Sequence, residues 1–461
     1  MNNFQKILLR IKEKSTENQF SEIIQNIKML NEDQRQILVS SINILYNTRK
    51  SICISGAAGT GKTFLTKTLL KVLESLYDSA KIALSAPTHQ AKRVLSESSG
   101  KDAYTVHSLF RILPNLEEDR AEFKSNGKKL PKLQDILFLV IDEVSMIDED
   151  LFHIIYQKLP MNTRIIALGD PYQLAPVNSN KISLFFSHPD FHQFRLTKIM
   201  RQQDGSPIIE QADRIRKREQ HLLYPDYDKK RISNNILDFH TERSFLQEYL
   251  NIVKTPEDAL KNRIVAYTNA KVNDINSKIR TVIYNTNSQI VKNELLVLQQ
   301  AVIKNDSTVF TNGEIVKVID ISEEEITFYF NYSKDKCKVK YYNIQVISLD
   351  TTEIGYINII SDESFDDFSF KLYCEASQLK LKKKKDKFAK LGLEWKNWWE
   401  IKNFFTEVKP IFASTVHKSQ GVSLDNCFVY QSDFDKSSTI DNYYQLLYVA
   451  ITRAKNNIYF Y

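Results

Sequence analysis

The stretch GAAGTGKT, Gly56 to Thr63, constrains the fold of this chain more than any other feature of the sequence. It matches the phosphate-binding pattern G-x-x-x-x-G-K-[ST] in full. A short β-type run, Ser51 to Ser55, precedes it, and a run with helical periodicity, Phe64 to Tyr77, follows it. Glycines let backbone N–H groups point at phosphate oxygens, and the helix start adds the positive end of its dipole. A chance glycine-rich turn would rarely lie between a strand and a helix in this order. The sequence therefore predicts a nucleotide-binding α/β domain.

Each residue type in this loop has an expected task. Lys62 is expected to contact the β- and γ-phosphates, and the hydroxyl of Thr63 to bind Mg²⁺. Upstream, Gln34 lies at the start of a predicted helix, where its amide could read an adenine edge. The predicted nucleotide-binding residues are Gln34, Gly56, Gly59, Thr60, Gly61, Lys62 and Thr63. The cofactors that follow from this pattern are ATP and Mg²⁺.

Two adjacent carboxylates, Asp142 and Glu143, follow the apolar run Ile136 to Ile141. Such a run is typical of a buried strand in a parallel sheet, and open α/β folds bind ligands at the carboxyl ends of these strands. Alone, the pair also fits an acidic, solvated turn. Together with the phosphate loop it predicts nucleotide hydrolysis, with Asp142 holding Mg²⁺ through water and Glu143 orienting the attacking water. Neither motif indicates what the hydrolysis drives.

Length and composition narrow the class of protein. A chain of 461 residues with 42% hydrophobic content is too long for one core and predicts two to four domains. The net charge of +7 fits a nucleic-acid partner without requiring one. The four cysteines have no metal-type spacing, which indicates reduced thiols in a cytosolic protein. No apolar run approaches the ~18 residues of a membrane span, so we expect no membrane association.

Further stretches along the chain carry polar, histidine or arginine residues next to apolar runs. They are SAPTHQAK (85–92), TVHSL (105–109), GDPYQLAP (169–176), LTKIMRQ (196–202), VAYTN (265–269), ASTVHKSQG (413–421) and LYVAITRAK (447–455). Taken alone, the polar residues of each stretch are explained as ordinary core, capping or surface residues. In this order and spacing they resemble the motif series of superfamily 1 helicases over nearly the whole chain. The likeness is greatest to the RecD-like enzymes of subgroup 1B, and among them to the Dda-like helicases of bacteriophages.

The resemblance implies an α/β fold with two RecA-like P-loop domains, a β-hairpin insertion termed the pin, and an SH3-like β-barrel insertion. The boundaries expected from it are an N-terminal helical extension at 1–29, a first RecA-like domain at 30–184 with the pin at 112–134, a second RecA-like domain at 185–286 and 409–461, and an SH3-like and tower insertion at 287–408. The N-terminal extension has no counterpart in the family pattern. It could bind a partner or pack as an extra helix.

The resemblance also implies roles for individual residues. Gln34 corresponds to the glutamine that reads adenine, Gln173 to the sensor of the γ-phosphate or attacking water, and Arg201 and Arg453 to two arginine fingers on the second domain. Guanidinium groups held there would stabilise charge in the transition state and make ATP a clamp between the domains. The expected catalytic residues are Lys62, Asp142, Glu143, Gln173, Arg201 and Arg453.

Other positions correspond to the DNA-facing residues of the family. They are Pro87, Thr88, His89, Thr105, His107, Asn269, Thr415, His417 and Lys418. Hydroxyl, amide and lysine groups suit phosphate contacts, and proline or histidine suits base stacking. The histidines are also well explained as capping or core residues.

The polar stretch Pro114 to Leu133 lies where the pin is expected, and its centre holds an Asn126-Gly127 turn, a strong hairpin signal. Phe123 beside this turn would stack at the fork and split base pairs, or it would pack down on the domain as part of a surface loop. The residues favour neither interpretation.

The insertion combines β-type and basic segments. The runs 314–319, 325–330 and 337–342 predict three short strands of a small barrel. The run Leu379 to Lys387 contains six lysines, which form either a phosphate-contact surface or a solvated helix face. Helical spacing places Trp395 and Trp399 on one face, where core packing is the expected role.

The function that this resemblance implies is an ATP-driven DNA helicase that moves 5′-to-3′ on single-stranded DNA. The expected partners are single-stranded DNA and the DNA fork, with single-strand-binding, replication, repair or recombination proteins. We expect a monomer in the cytoplasm, which is the host cytoplasm if the source is a phage. An RNA-directed superfamily 1 helicase stays open because no residue reads a 2′-hydroxyl. A P-loop kinase would not need the second RecA-like half, and an ATP-switched binding protein would not need the hydrolytic residues.

Overall fold

The computed structural model describes residues 3–57, 59–112, 131–176, 181–198, 207–218, 231–233, 235–304, 307–330, 336–385 and 391–461. Phe123, Arg201 and most of the predicted pin lie outside these ranges. The helices are α1 (Asn3–Lys14), α2 (Glu17–Met29), α3 (Glu32–Asn47), α4 (Lys62–Leu76), α5 (His89–Ser99), α6 (Val106–Leu109), α7 (Glu149–Lys158), α8 (Pro207–Arg216), α9 (Glu242–Ile252), α10 (Asn269–Tyr284), α11 (Asp362–Lys385), α12 (Gly392–Asn403) and α13 (Ile440–Ile451).

The strands fall into two parallel sheets and an antiparallel insertion. They are β1 (Ser51–Gly56), β2 (Ile82–Ala86), β3 (Ala103–Thr105), β4 (Phe138–Ile141), β5 (Arg164–Gly169), β6 (Phe191–Leu196), β7 (Arg231–Ser233), β8 (Ile236–Asp238), β9 (Asn262–Ala266), β10 (Leu295–Leu298), β11 (Val302–Lys304), β12 (Ser307–Phe310), β13 (Ile315–Tyr329), β14 (Lys336–Ser348), β15 (Ile354–Ile360), β16 (Val408–Pro410), β17 (Ala413–Thr415), β18 (Leu424–Val429) and β19 (Ala454–Phe460).

The first sheet has the order β3-β2-β4-β5-β1-β6, and all its neighbouring strands are parallel. Every residue of β2 and β4 is buried, because helices cover both faces of the sheet. Helices α4, α5 and α7 provide the crossovers that parallel strands need. This order brings the carboxyl ends of β1, β5 and β4 together near the middle of the sheet.

The N-terminal extension packs on the first unit. Ile11, Ile23 and Ile27 are buried in the same core as the apolar face of α4. The Lys14 ammonium donates to the Leu76 carbonyl at the end of α4, at 3.2 Å. Of the two interpretations left open for this segment, its described part therefore agrees with packed extra helices.

The second sheet has the order β17-β9-β18-β19-β8-β7 and is parallel apart from the β7–β8 pair. Helices α8 and α13 pack on it, and so does α10, which follows β9. Strands β9 and β17 are neighbours in this sheet, although the whole insertion separates them in sequence. The second α/β unit is therefore built from two distant chain segments.

The insertion is a five-stranded antiparallel sheet, β15-β14-β13-β10-β16, with the separate hairpin β11–β12. The sequence prediction of three short strands was wrong here. The runs 314–319 and 325–330 belong to the single strand β13, which pairs with β14 from Val316↔Ser348 to Tyr329↔Lys336. The strand continues through Glu323 and Glu324, which lie between the two runs and are exposed, and the neighbouring Glu325 pairs with Lys338 at 2.7 Å.

Helices α11 and α12 cover the distal half of the β13–β14 ladder, and we refer to these four elements together as the tower. Phe328, Val339 and Phe368 form part of its core. Trp398 donates its indole N–H to the Leu372 carbonyl at 2.9 Å, so α12 packs against α11. No helix in the described part of the chain is long and apolar enough to cross a membrane. All four cysteines are free thiols, as predicted.

Candidate nucleotide site and nucleic-acid face

The glycines of the phosphate loop meet steric and conformational requirements. Gly59 and Gly61 have φ values of +83° and +79°, a region that side chains disfavour. A Cβ atom on Gly56 would lie 2.6 Å from Oγ1 of Thr60 and 3.0 Å from Cβ of Leu196. The loop therefore turns directly from β1 into the start of α4. The first N–H groups of a helix have no partner within it, which suits them to phosphate.

Lys62 and Gln34 both contact this loop. The Lys62 ammonium donates to the carbonyls of Gly56 at 2.6 Å and Ala57 at 3.1 Å. The buried Gln34 amide donates to the Thr60 carbonyl at 3.0 Å, and its oxygen accepts the Asn31 N–H at 3.1 Å. One amide hydrogen and one oxygen lone pair of Gln34 remain for a ligand. The amide hydrogen can bind N7 of adenine, and the lone pair can accept a hydrogen bond from N6.

The predicted acidic pair lies at the end of β4. The Asp142 N–H donates to the Ser85 carbonyl, and the Glu143 N–H donates to Oδ1 of Asp142, both at 2.9 Å. Glu143 has φ = +53°, an unfavourable backbone conformation for a residue with a side chain. Strain of this kind is characteristic of functional sites, because the surrounding structure must hold it in place.

The charges and burial around the acidic pair favour a bound cation. Burial raises the pKa of Asp142, and burial together with the neighbouring Asp142 raises the pKa of Glu143 to about 7. The positive charges of Lys62 and Arg453 act in the opposite direction on Glu143. Oε2 of Glu143 and Oε1 of Gln173 are buried without a hydrogen-bond partner among the described residues.

This environment fits Mg²⁺. Thr63 and Asp142 line the same pocket at the start of α4 and supply the hydroxyl and carboxylate oxygens that the ion prefers. A divalent cation there would also compensate the unfavourable burial of two adjacent carboxylates.

The second α/β unit places residues beside the predicted nucleotide site. Arg453, which is 6% exposed, is close enough to lower the pKa of Glu143, and its guanidinium donates to Val449 O and Thr452 Oγ1, both at 3.0 Å. The hydroxyl of Tyr448 on α13 donates to the fully buried Asp170 carboxylate at 2.8 Å.

Asp170 directly follows β5 and lies three residues before Gln173, so this hydrogen bond crosses between the two units beside the site. The predictions did not include Asp170 or Tyr448, although both lie in motif stretches quoted above. A buried aspartate directly after a strand was the available signal.

The predicted DNA-facing residues lie at a different part of the same sheet edges. Pro87 and Thr88 follow β2, and Thr105 ends β3, at one side of the first sheet. Asn269 begins the helix after β9, and Thr415 ends β17, at one side of the second. The phosphate loop, the acidic pair and Gln173 of the predicted nucleotide site follow β1, β4 and β5 instead. The two groups of residues therefore occupy neighbouring but separate regions.

Several of these side chains already have structural partners. The hydroxyls of Thr88 and Thr105 accept the N–H groups of Ala91 and Ser108 and cap α5 and α6. Thr415 is buried and accepts the Lys418 N–H at 3.3 Å. For these three threonines, helix capping and turn formation explain the residue type without DNA.

The histidines differ from one another. Burial, followed by the charge of Lys92, lowers the pKa of His89 to about 4. Burial also lowers the pKa of His417, whose ring lies 6.1 Å from that of Tyr267. Both rings are therefore neutral at pH 7 and suit base contacts better than phosphate charges. His107 is exposed.

The remaining positions link the second unit to the insertion. Asn269 is exposed and its Oδ1 accepts the Lys409 ammonium at 3.0 Å. Lys418 is exposed and hydrogen-bonds Gln299 beside β10. The base of the insertion thus touches two residues of the predicted DNA face.

Three family models match successive parts of the chain: an AAA domain at residues 29–234, the Dda helicase SH3 domain at 287–410 and a UvrD-like helicase C-terminal domain at 410–461. The ATP-dependent DNA helicase Dda of Enterobacteria phage T4 is 33% identical over 452 residues, covering 94% of this chain and 99% of that protein. The ATP-dependent DNA helicase Pif1 of Campylobacter jejuni is 24% identical over 434 residues, covering 88% and 87%.

Among solved structures, Pif1 helicase from Bacteroides in complex with ADP-AlF3 and ssDNA is similar, with a TM-score of 0.51 and 19% sequence identity, covering 94% of this chain and 92% of that one. This likeness bears on the fold alone. With the family models, it confirms the predicted fold class of two RecA-like units and an SH3-like insertion.

Proposed function

This chain belongs to the superfamily 1B helicases, in the family of the phage helicase Dda, and is an ATP-dependent DNA helicase; we propose that it moves 5′-to-3′ along single-stranded DNA and opens the duplex ahead of it. One observation supports coupling of hydrolysis to motion most directly: Arg453 and Tyr448 of the second unit reach the nucleotide site of the first. A ligand held by both units stabilises the closed cleft, and its hydrolysis releases that closure.

The positions of the motif residues support the following chemical roles, which are part of this proposal. Lys62 binds the β- and γ-phosphates, and Glu143 holds the attacking water and accepts its proton. Gln173, which follows the neighbouring strand, orients the same water. Arg453 stabilises the charge that develops on the phosphate oxygens. We propose the same role for Arg201, which lies outside the described residues.

Mg²⁺, when bound, would neutralise phosphate charge, and Thr63 and Asp142 are the residues that would hold it. Gln34 would read the adenine edge with its remaining amide hydrogen and lone pair. The proposed nucleotide residues all belong to one chain, so a monomer suffices for hydrolysis. The kinase and switch interpretations left open by the sequence do not agree with membership in a helicase family.

We propose that the DNA path follows the residues after β2, β3, β9 and β17. The exposed residues His107, Asn269 and Lys418 are the best placed for direct contacts. At Thr88 and Thr105 the capped helix starts, rather than the threonine hydroxyls, would present N–H groups to phosphates. A DNA path along both units changes length when the cleft between them opens or closes. This change in length would move the protein along the strand.

The direction of movement is tested with duplexes that carry one single-stranded tail. With ATP and Mg²⁺ we expect unwinding from a 5′ DNA tail, little from a 3′ tail, and none with the Lys62→Ala variant. An RNA 5′ tail of the same sequence tests the RNA-directed alternative. Unwinding from the 3′ tail alone would contradict the proposed polarity but would still agree with a helicase activity.

Tyr448→Phe tests the hydrogen bond between the units. The variant removes one hydroxyl and leaves the buried Asp170 carboxylate without that donor, and a hydrogen bond to a charged group contributes roughly 1.5–3 kcal/mol. We expect the DNA-stimulated ATPase kcat to fall about tenfold or more, with a smaller change in the rate without DNA.

Tyr444→Phe is the matched control, because Tyr444 is also buried on α13. Both rates and the melting temperature are measured for each variant. Equal losses in the stimulated and basal rates, or a loss of melting temperature alone, would argue against a role in coupling.

A further inference from the structure

Helix α11 projects beyond the hairpin on which it begins. Near its start, the Lys340 N–H donates to Ser364 Oγ at 3.1 Å. Further along, the Lys371 ammonium reaches the carbonyl of Lys336, the first residue of β14, at 3.2 Å. The helix then continues for 14 residues to Lys385, which at 1.5 Å per residue is about 21 Å. The distal part of the tower is therefore helical and stands away from the sheet.

The two faces of α11 differ sharply. Phe368, Leu372, Glu375 and Leu379 follow helical spacing, and this face packs toward the ladder and α12. The other face carries Phe370, Tyr373, Ser377, Lys380, Leu381 and Lys384, at i, i+3 and i+4 spacing; we refer to these six residues as the tower stripe.

Phe370, Tyr373 and Leu381 are 67%, 70% and 57% exposed, and Lys380 and Lys384 are exposed as well. Large apolar groups exposed together on one surface are unusual and mark interaction sites.

Helix formation does not explain this stripe. Lysines favour the last turn of a helix because they complement its dipole, and Lys384 fits that explanation. Lys380 lies one turn earlier, and the dipole gives no reason for exposed aromatic rings at Phe370 and Tyr373. Aromatic rings interleaved with lysines are instead the combination by which proteins bind single-stranded nucleic acid, with bases stacked on the rings and phosphates near the cations.

We infer that the tower stripe binds single-stranded DNA outside the channel formed by the two RecA-like units. The position of the tower supports this. It rises from β10 and β16, and beside them Lys418 contacts Gln299 and Lys409 contacts Asn269, all at the proposed DNA face. A strand that leaves this face would lie beside the base of the tower and would reach the stripe by continuing along the tower. The inference rests on the helicase function but not on the direction of movement.

The experiment compares a short and a long oligothymidylate. An oligonucleotide of about 8 nucleotides fills a channel-sized site, whereas one of about 30 nucleotides also reaches a second surface. Affinities are measured by fluorescence anisotropy between 50 and 200 mM salt with the full-length protein.

Each neutralised phosphate contributes about 0.7 to the salt slope for a single strand, so Lys380→Gln/Lys384→Gln should lower the slope by about 1.4 for the long oligonucleotide only. Phe370→Ala/Tyr373→Ala should weaken long-oligonucleotide binding roughly fivefold or more.

The matched control is Lys338→Gln/Lys396→Gln, which removes two exposed lysines of the tower outside the stripe. Stimulation of the ATPase by the short oligonucleotide shows that each variant is folded, and unwinding of a duplex with a 5′ tail tests the helicase function separately. All three tryptophans lie on α12, beside α11. Their fluorescence should therefore respond to the long oligonucleotide more than to the short one.

Two results would overturn the inference. The first is an equal loss of affinity for both oligonucleotides, because the variants would then have disturbed the channel. The second is unchanged long-oligonucleotide binding and salt slope. If unwinding then fell while binding stayed intact, the stripe would contact another part of this chain rather than DNA.

Discussion

Replacing Glu143 by Gln is expected to lower kcat for ATP hydrolysis by about 10²- to 10⁴-fold while leaving ATP binding intact. The amide keeps the size of the side chain and its strained backbone position, but it cannot accept a proton from the attacking water. Steady-state ATPase with saturating oligothymidylate measures the loss of kcat. Equilibrium nucleotide binding tests whether the affinity for ATP is retained. Glu149→Gln, six residues further on at an exposed position, is the control.

The pH dependence of the same reaction tests the role of Glu143 further. Burial and Asp142 raise its pKa to about 7, and the group must be ionised to act as a base. Because kcat/KM reports the free enzyme, it should fall as the pH drops below about 7 and level off above it. The Glu143→Gln variant should lose this dependence. A variant that retains both the rate and the pH profile would assign the base to another residue.

Replacing Arg453 by Ala is expected to reduce kcat by about 10³- to 10⁵-fold, the range found for arginine fingers. The guanidinium is also bound to three oxygen atoms of its own unit, those of Val449, Val422 and Thr452, so the alanine variant loses packing as well. Arg453→Lys separates these effects, because it keeps the charge but loses the planar fork. We expect a large loss of kcat for Arg453→Lys with nucleotide KM changed little.

The control for Arg453 is a structural arginine of the same unit. Arg280 makes a two-bond ion pair with Glu294, at 2.6 and 2.8 Å, away from the cleft. Arg280→Lys should lower the melting temperature without lowering kcat comparably. If Arg453→Lys instead matched this behaviour, with a loss of stability and a normal kcat, Arg453 would be a structural residue.

Local patterns predicted the strands and the helix that surround the phosphate loop and the acidic pair. The phosphate loop lies between its strand and helix, and Asp142 and Glu143 follow their strand, because these relations depend on neighbouring residues. The pairing of Asp170 with Tyr448 joins positions 278 residues apart, and no local pattern contains it. The same limit applies to the N-terminal helices, whose partner is the face of α4.

Residue type alone does not determine the role of a side chain or the local structure at two places in this chain. Thr88 and Thr105 correspond to DNA-facing positions of the family, and in the structure their hydroxyls also cap helices. Glu323 and Glu324 separate two β-type runs in the sequence, yet β13 continues through them with both side chains exposed. The caps are contacts with residues three positions further along, whereas the continuous strand depends on pairing with β14.

The first and last strands of the insertion, β10 and β16, are antiparallel neighbours, with Leu298 opposite Val408. In topological terms, the whole segment between β10 and β16 is the loop of one large hairpin. A two-residue turn between these two strands would close the same hairpin if the segment were absent. Such an arrangement lets evolution lengthen, shorten or exchange the segment while the motor's sheet order stays the same. The insertion can thus diverge in shape independently of the part that hydrolyses ATP.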